Sequence, residues 1–134
     1  MIRFGVSLEK ELLTSFDSFI QRKGYPNRSE AIRDLIRKTF VEEEWQEGKE
    51  VSGAITLVYD HHKRDLLNRL MDVQHDHHAT IISTQHIHLD HHNCLEVIIA
   101  KGAPKDVRSL ADKLHSLKGI KHVSIAMSTM GKGV

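Results

Sequence analysis

The residues of this chain with the most distinctive chemistry are a cluster of histidines and a single cysteine. The chain has 134 residues and 11 histidines, and most of the histidines lie between His61 and His92. Its one cysteine, Cys94, follows directly after this region. Imidazole and thiolate groups are typical ligands of transition metals. A metal site is therefore the first chemistry to test against the spacing of these residues.

The segment from His86 to Glu96 predicts a β-hairpin that brings such side chains together. His86 and His88 are two positions apart, so they point to the same face of a strand. A tight turn centred on His91 places His88 opposite Cys94. The same register places His86 opposite Glu96, and directly opposed side chains have Cβ atoms about 5 Å apart. The hairpin thus predicts two imidazoles and a thiol on one patch, with a carboxylate beside them.

This patch suits a borderline transition metal, because calcium and magnesium prefer oxygen ligands. The alternative is that the histidines are ordinary polar positions on an open sheet face, but the cysteine placed opposite favours a metal site. A fourth donor is needed, and the end of the preceding helix offers three candidates: His75, His77 and His78. The sequence also contains three pairs of adjacent histidines: His61-His62, His77-His78 and His91-His92. Their spacing gives no common face, so we expect most of these histidines to be solvated, with loose metal binding at one or two of them at most.

An enzymatic role finds less support in the sequence. Cys94 could act as a nucleophile beside a histidine, but His86 and His88 on its face are more naturally co-ligands. Glu96 could act as a base on a metal-bound water, yet no apolar pocket can be inferred around it. The chain has no glycine-rich phosphate loop, no HExxH motif and no nucleophile elbow. We therefore expect a protein that is not an enzyme and has no catalytic residues.

The elements around the hairpin predict an α+β domain over residues 49–134. Alternating or apolar runs indicate strands, and apolar residues at helical spacing indicate helices. Their order is βαββαβ, the ferredoxin-like arrangement. The predicted elements are a strand at 51–59, a helix at 62–76, a strand at 79–89, a strand at 94–100, a helix at 104–117 and a strand at 120–127.

Residues 1–48 predict a separate βαα unit with a linker. Residues 2–8 alternate apolar and polar side chains, which is typical of a strand. A first helix ends at Gly24, a suitable position for a left-handed helix end, and Ser29 is a candidate cap for a second helix that reaches Phe40. Residues 41–50 are charged and indicate a helix tail that runs into a linker.

A unit this small rarely folds alone, because it buries too little apolar surface. Two copies solve this problem by pairing their strands antiparallel and interlocking their helices. Such a ribbon would expose Arg3, Gly5 and Ser7 and would fit the major groove of DNA. Residues 1–40 carry eight basic and five acidic residues, 8 − 5 = +3, a modest bias compatible with phosphate contact. The alternative is a helical hairpin with a stray strand.

The sequence also indicates a cytoplasmic location. One cysteine excludes an intrachain disulfide framework, and no apolar run is long enough to span a membrane. The residues after Met1 lack the apolar stretch of a signal peptide. A reducing cytoplasm is the simplest interpretation, with Cys94 as a free thiol or a metal ligand.

Several segments together resemble the NikR-type nickel-responsive repressors over nearly the whole chain. Beside the N-terminal strand, they are Gly24 to Asp34 (GYPNRSEAIRD), Tyr59-Asp60-His61 with Lys63-Arg64-Asp65-Leu66, His75, His86-Ile87-His88 and Asn93-Cys94-Leu95-Glu96. The spacing of the histidines and the cysteine matches that of the family's nickel ligands.

The resemblance implies a ribbon-helix-helix DNA-binding domain joined to an ACT-like nickel-binding domain. It implies a homotetramer, a dimer of dimers, whose central core is formed by the regulatory domains. It assigns one Ni(II) per subunit to His86, His88 and Cys94 of one subunit and His75 of its neighbour. Such a planar site of nitrogen and sulfur ligands suits Ni(II) or Cu(II) better than zinc. Tyr59 and Glu96 resemble the residues that orient the ligands by hydrogen bonds.

The resemblance also assigns residues to DNA and to a second cation. Relatives usually carry hydrogen-bonding side chains at all three outward strand positions, but Gly5 can contact no base edge. Base readout should then depend on Arg3 and Ser7, with Arg3 favoured because arginine bridges guanine O6 and N7. Arg28, Ser29 and Arg33 are expected at the DNA. Glu30 and Asp34 match the carboxylates of a potassium-like site that relatives have between the domains. The other oxygen ligands of that site would be backbone carbonyls near His115, Leu117 and Ile120. The alternative is that Glu30 is an acidic residue in the first turn of a helix, where the helix dipole favours it.

These inferences combine into one functional hypothesis. The chain is expected to be a nickel-dependent repressor that binds operator double-stranded DNA and controls nickel uptake genes. The first alternative is a nickel storage or delivery protein in which the N-terminal unit only dimerises. The second is an antitoxin-like ribbon-helix-helix repressor that ignores metal.

Overall fold

The structure, a computed structural model, describes all of residues 1–134. It consists of two compact units, Met1–Thr39 and Phe40–Val134. Its elements in chain order are α1 (Lys10–Lys23), α2 (Arg28–Glu47), β1 (Val51–Asp60), α3 (Arg64–Asp76), β2 (Ile81–His88), β3 (Asn93–Gly102), α4 (Pro104–Ser116) and β4 (Ile120–Met127). The domain boundary that the sequence predicts between residues 48 and 49 stays a prediction.

The N-terminal unit contains the two predicted helices. Helix α1 ends at Gly24, whose φ of 76° is the left-handed conformation expected there. The cap of α2 differs from the prediction: the side-chain oxygen of Asn27, not of Ser29, accepts the amide of Glu30 at 2.9 Å. Residues 1–9 form no strand in the single chain, and the predicted pairing of this segment with that of a second chain stays a prediction.

Helix α2 includes the helix tail that the sequence indicated before the linker. It continues through residues 41–47, and only Gly48, Lys49 and Glu50 separate it from β1. The cause is Trp45, which is 2% exposed and donates a hydrogen bond from Nε1 to the Ser128 carbonyl at 2.8 Å. The charged composition of this segment gave no indication that Trp45 is buried.

The second unit has the predicted βαββαβ order. Its four strands are antiparallel in the order β2-β3-β1-β4, so β1 lies in the centre. Every second residue of β1 and β3 is buried, and apolar residues of α3 and α4 complete the core. This arrangement confirms the predicted α+β fold and places the end of β1 directly beside the start of β3.

Replacing Trp45 by alanine is expected to lower the free energy of unfolding by about 3–5 kcal/mol, as truncation of a buried tryptophan usually does. The ring packs directly on Gly53, because a Cβ added there would lie 3.6 Å from it, in van der Waals contact. Urea unfolding followed by far-UV circular dichroism measures the change. Trp45→Phe keeps an aromatic ring and should lose less. A loss below about 1 kcal/mol for Trp45→Ala, within the range of surface substitutions, would contradict the anchoring role.

Candidate metal centre

The β2–β3 hairpin has the predicted register. His88 pairs with Cys94, and His86 pairs with Glu96. The turn is held by Asp90, whose carboxylate accepts the amides of His92 and Asn93 at 2.8 Å each. Hydrogen bonds from the Asn93 side chain, then from these amides, lower the pKa of Asp90 to about 2. The hairpin geometry is therefore set by local turn chemistry.

Cys94 is completely buried and is the centre of a compact group of metal-binding side chains. Its Sγ lies 3.4 Å from Nδ1 of His88 and 3.1 Å from Nδ1 of His61. The potential ligand atoms of these three residues all lie within 4.8 Å of one another. Burial is the main cause that raises the pKa of the Cys94 thiol, and desolvation is the main cause that lowers the pKa of His61.

These distances fit a metal ion of the predicted kind. With metal–nitrogen bonds of about 2.0–2.1 Å and metal–sulfur bonds of about 2.3 Å, two neighbouring donors on one ion are ~3–3.6 Å apart. Both sulfur–nitrogen distances at Cys94 lie in that interval. The lowered pKa of His61 favours the neutral imidazole, which is the form that binds metals. The donor set of sulfur and nitrogen suits nickel, copper or zinc and not calcium.

His61 is a member of this group that the sequence did not single out, because its pairing with His62 indicated a solvated position. The tertiary structure brings it in through β1, whose Tyr59 pairs with Cys94. Beyond the strand end, the His61 amide donates to the His92 carbonyl at 3.2 Å. A signal was present: the βαββαβ order places β1 beside β3, and His61 is two residues beyond Tyr59.

A buried hydrogen-bond network lies next to the group. The Tyr59 hydroxyl donates to Glu96 at 2.8 Å and lies 3.5 Å from Nδ1 of His86. Gln74 of α3, which the sequence did not indicate, donates to the other Glu96 oxygen at 2.8 Å. Burial and then the contact with Glu96 raise the pKa of Tyr59, so the tyrosine stays protonated. Tyr59 and Glu96 thus lie where they can orient His86.

The remaining predicted ligands are only partly brought together within one chain. The ring of His86 is centred 5.3 Å from that of His88. His75 lies in the last turn of α3, with its ring 6.1 Å from that of His78, and it supplies no donor to the group at Cys94. Its assignment to the site of a neighbouring subunit stays a prediction.

The side chains predicted at DNA line one cavity of about 590 Å³ in the N-terminal unit, together with apolar residues; they include Arg3, Arg28, Ser29 and Arg33. Gly5 and Ser7 are exposed. Two of the arginines have acidic partners: Arg28 makes two 2.8 Å hydrogen bonds to Asp17, and Arg33 lies 2.7 Å from Glu30. These pairs are exposed and therefore contribute little stability, and the contacts of both arginines with DNA stay a prediction.

The predicted second cation site has carboxylates with local partners. Glu30 is paired with Arg33. Asp34 accepts a hydrogen bond from the Tyr25 hydroxyl and lies 2.9 Å from Lys38. The hydrogen bond from Tyr25, followed by that from Lys38, lowers the pKa of Asp34. A monovalent cation would have to replace these contacts, and the site stays a prediction.

The fold and the site define a class of protein: a small α-helical unit, followed by a ferredoxin-like domain with a group of cysteine and histidine side chains that could bind a metal. The family model described as the NikR C-terminal nickel-binding domain matches residues 52–128. The model of ribbon-helix-helix proteins of the copG family matches residues 2–42. The chain belongs to the NikR family of nickel-responsive regulators, which agrees with the prediction that it is not an enzyme.

Relatives of similar length support this assignment. Proteins of Syntrophus aciditrophicus and Desulfovibrio desulfuricans, each named "Putative nickel-responsive regulator", are 54% and 56% identical over 132 residues. Each match covers 98% of this chain and 96% of the relative. An uncharacterized protein of Thermotoga maritima shares the fold with a TM-score of 0.54 and 12% identity, over 59% of this chain and 98% of its own. None of the helices combines the length and apolar character needed to cross a membrane.

Proposed function

We propose that this protein is a nickel-dependent repressor that acts in the cytoplasm on nickel uptake genes. Ni(II) held at the C-terminal centre would favour the arrangement of the N-terminal units that binds operator DNA. The observation that carries the proposal is the buried Cys94 thiol with imidazole nitrogens at 3.1 and 3.4 Å. Two imidazole nitrogens this close to one thiol form a set of donors in which a metal ion can replace the thiol proton.

The N-terminal segment supports a DNA-binding dimer. Its apolar side chains are exposed in a single chain, with Ile2 at 91% and Phe4 at 70%. Pairing with the same segment of a second copy would cover them and leave Arg3, Gly5 and Ser7 on the outer face of a two-stranded ribbon. A two-stranded ribbon fits the major groove of DNA.

The C-terminal unit supports further assembly into a tetramer. Strand β2 is a sheet edge and is exposed along nearly its whole length. Ile82 in this strand and Leu89 just after it are 55% and 54% exposed, and apolar residues so exposed on an edge are typical of an association surface. In the proposed tetramer, His75 of a neighbouring subunit completes each site, giving one Ni(II) per subunit, with a potassium-like ion at Glu30 and Asp34.

A gel shift on DNA from upstream of nickel transporter genes tests the proposal. With Ni(II) the protein should retard this DNA and not a random fragment, and after chelation the specific complex should disappear. A nickel storage or delivery protein would give no specific shift. A metal-independent ribbon-helix-helix repressor would shift the fragment with or without nickel. Either result would overturn the proposed function.

Replacing Arg3 by alanine is expected to reduce the difference in binding free energy between operator and random DNA by about 1–3 kcal/mol, the effect of one bidentate base contact. Affinity for random DNA should change little, because base contacts specify whereas phosphate contacts position. Fluorescence anisotropy on both fragments at fixed salt gives the two affinities. Arg33→Ala, at a proposed phosphate contact, is the matched control and should weaken both equally. Equal weakening by Arg3→Ala would make Arg3 a phosphate contact too.

A further inference from the structure

A second group of metal-binding side chains lies beside the candidate centre and shares no residue with it. It consists of Asp60 and His62 at the end of β1 and His92 in the β2–β3 turn. Their potential ligand atoms all lie within 4.8 Å of one another. His62 and Asp60 are the closest pair, with Nδ1 3.2 Å from Oδ1. This is the separation that two donors on one ion have, ~3–3.5 Å for bonds of about 2.0–2.2 Å.

Backbone contacts set the positions of all three residues. The His62 amide donates to Asp60 Oδ1 at 3.0 Å, and this bond is the main cause that lowers the pKa of Asp60. The His92 carbonyl accepts the His61 amide at 3.2 Å, which ties the turn to the end of β1. The His92 amide is held in turn by Asp90 at 2.8 Å. The three donors therefore converge without ordering a flexible loop.

The surroundings add further imidazoles and access from solvent. The ring of His62 is centred 5.4 Å from each of the rings of His91 and His92. The side chain of His62 is 49% exposed and that of Asp60 is 22% exposed. An ion from solution can thus reach the donors, and water can complete its coordination.

We propose that Asp60, His62 and His92 form a second site for a divalent transition metal such as Ni(II), Co(II) or Zn(II). Two imidazoles and a carboxylate suit these ions. The ion would lie between Nδ1 of His62 and Oδ1 of Asp60, in place of their direct contact. The site binds more weakly than the Cys94 centre, because it has no thiolate and stays open to water. The sequence predicted only loose metal binding at one or two of the histidine pairs, and this proposal assigns such binding to three defined ligands.

Equilibrium dialysis of the full chain against Ni(II), with metal analysis of the protein, tests this site. The wild type should bind a second Ni(II) per chain without any increase in the thiolate-to-nickel absorption band. His92→Ala and Asp60→Asn should each weaken this second binding at least tenfold and leave the first within about twofold, in line with the loss of a ligand. His122→Ala removes an exposed histidine outside the group and should change neither.

The Cys94→Ala variant separates this proposal from the proposed function. The second Ni(II) should bind to it as it does to the wild type, whether or not the Cys94 centre binds nickel at all. Loss of the second ion together with the first, or second binding that is unaffected by both His92→Ala and Asp60→Asn, would overturn the site. Asp60 and His62 would then form only a turn closed by a hydrogen bond.

Discussion

Cys94→Ala is expected to abolish tight nickel binding and nickel-dependent DNA binding together. Cys94 is the chain's one sulfur donor of thiolate type, and its charge favours a borderline metal. Loss of an outer hydrogen-bond partner costs about 10–100-fold in metal affinity, and loss of this ligand should exceed that range. Competition with a chelator gives the affinity, and the thiolate-to-nickel absorption band should be absent.

The fold should survive this substitution, because alanine occupies the same buried position and removes only the sulfur. Near-UV circular dichroism and the thermal midpoint check that point. Tyr59→Phe is the matched control. It removes the hydroxyl that contacts Glu96 at 2.8 Å and should weaken nickel binding by about 10–100-fold while the absorption band remains. If the band persisted in Cys94→Ala, the assigned metal centre would be wrong.

Mixing two inactive variants is expected to restore tight nickel binding if His75 completes the site of a neighbouring subunit. A His75→Ala chain keeps His86, His88 and Cys94, whereas a Cys94→Ala chain keeps His75. Neither homotetramer has a complete set of four ligands. After equal amounts are unfolded and refolded together, random assembly makes about one site in four complete. The absorption band should return to about a quarter of the wild-type intensity under the same random assembly.

His61 makes this experiment decisive, because it already lies 3.1 Å from the Cys94 sulfur within one chain. If His61 were the fourth ligand, His75→Ala would bind nickel normally and mixing would add nothing. His61→Ala would then lose tight binding instead. His78→Ala, at a neighbouring imidazole of the same region, is the control and should behave as the wild type. Absence of rescue, with mixed tetramers shown by native mass spectrometry, would refute the site shared between subunits.

A shared site would also account for control of DNA binding. An ion that joins two subunits can shift the balance between arrangements of the tetramer, and the coupling must be reciprocal. Operator DNA should then tighten nickel binding by the same factor by which nickel tightens DNA binding. A site built within one chain would offer no such direct link between subunits.

The sequence alone determined the features that depend on local periodicity and turn chemistry. The alternation of β2 and β3 and the turn at Asp90 were enough to pair His88 with Cys94 and His86 with Glu96. The βαββαβ order followed from apolar spacing. Register is predictable here because a slip of one residue would exchange the two faces of a strand. Family resemblance then supplied the identity of the metal and the role of His75, which spacing had left open.

Only the tertiary structure decided which residues from distant segments meet. His61 approaches Cys94 because β1 lies beside β3, and Gln74 reaches Glu96 because α3 covers that end of the sheet. The extension of α2 depends on the burial of Trp45 against residues more than eighty positions away. Such contacts leave no periodic signal, since they arise from packing between elements and not from the pattern within one. For the same reason, spacing could not choose between His61 and a neighbouring subunit's His75 as the fourth ligand, and the mixing experiment tests that choice.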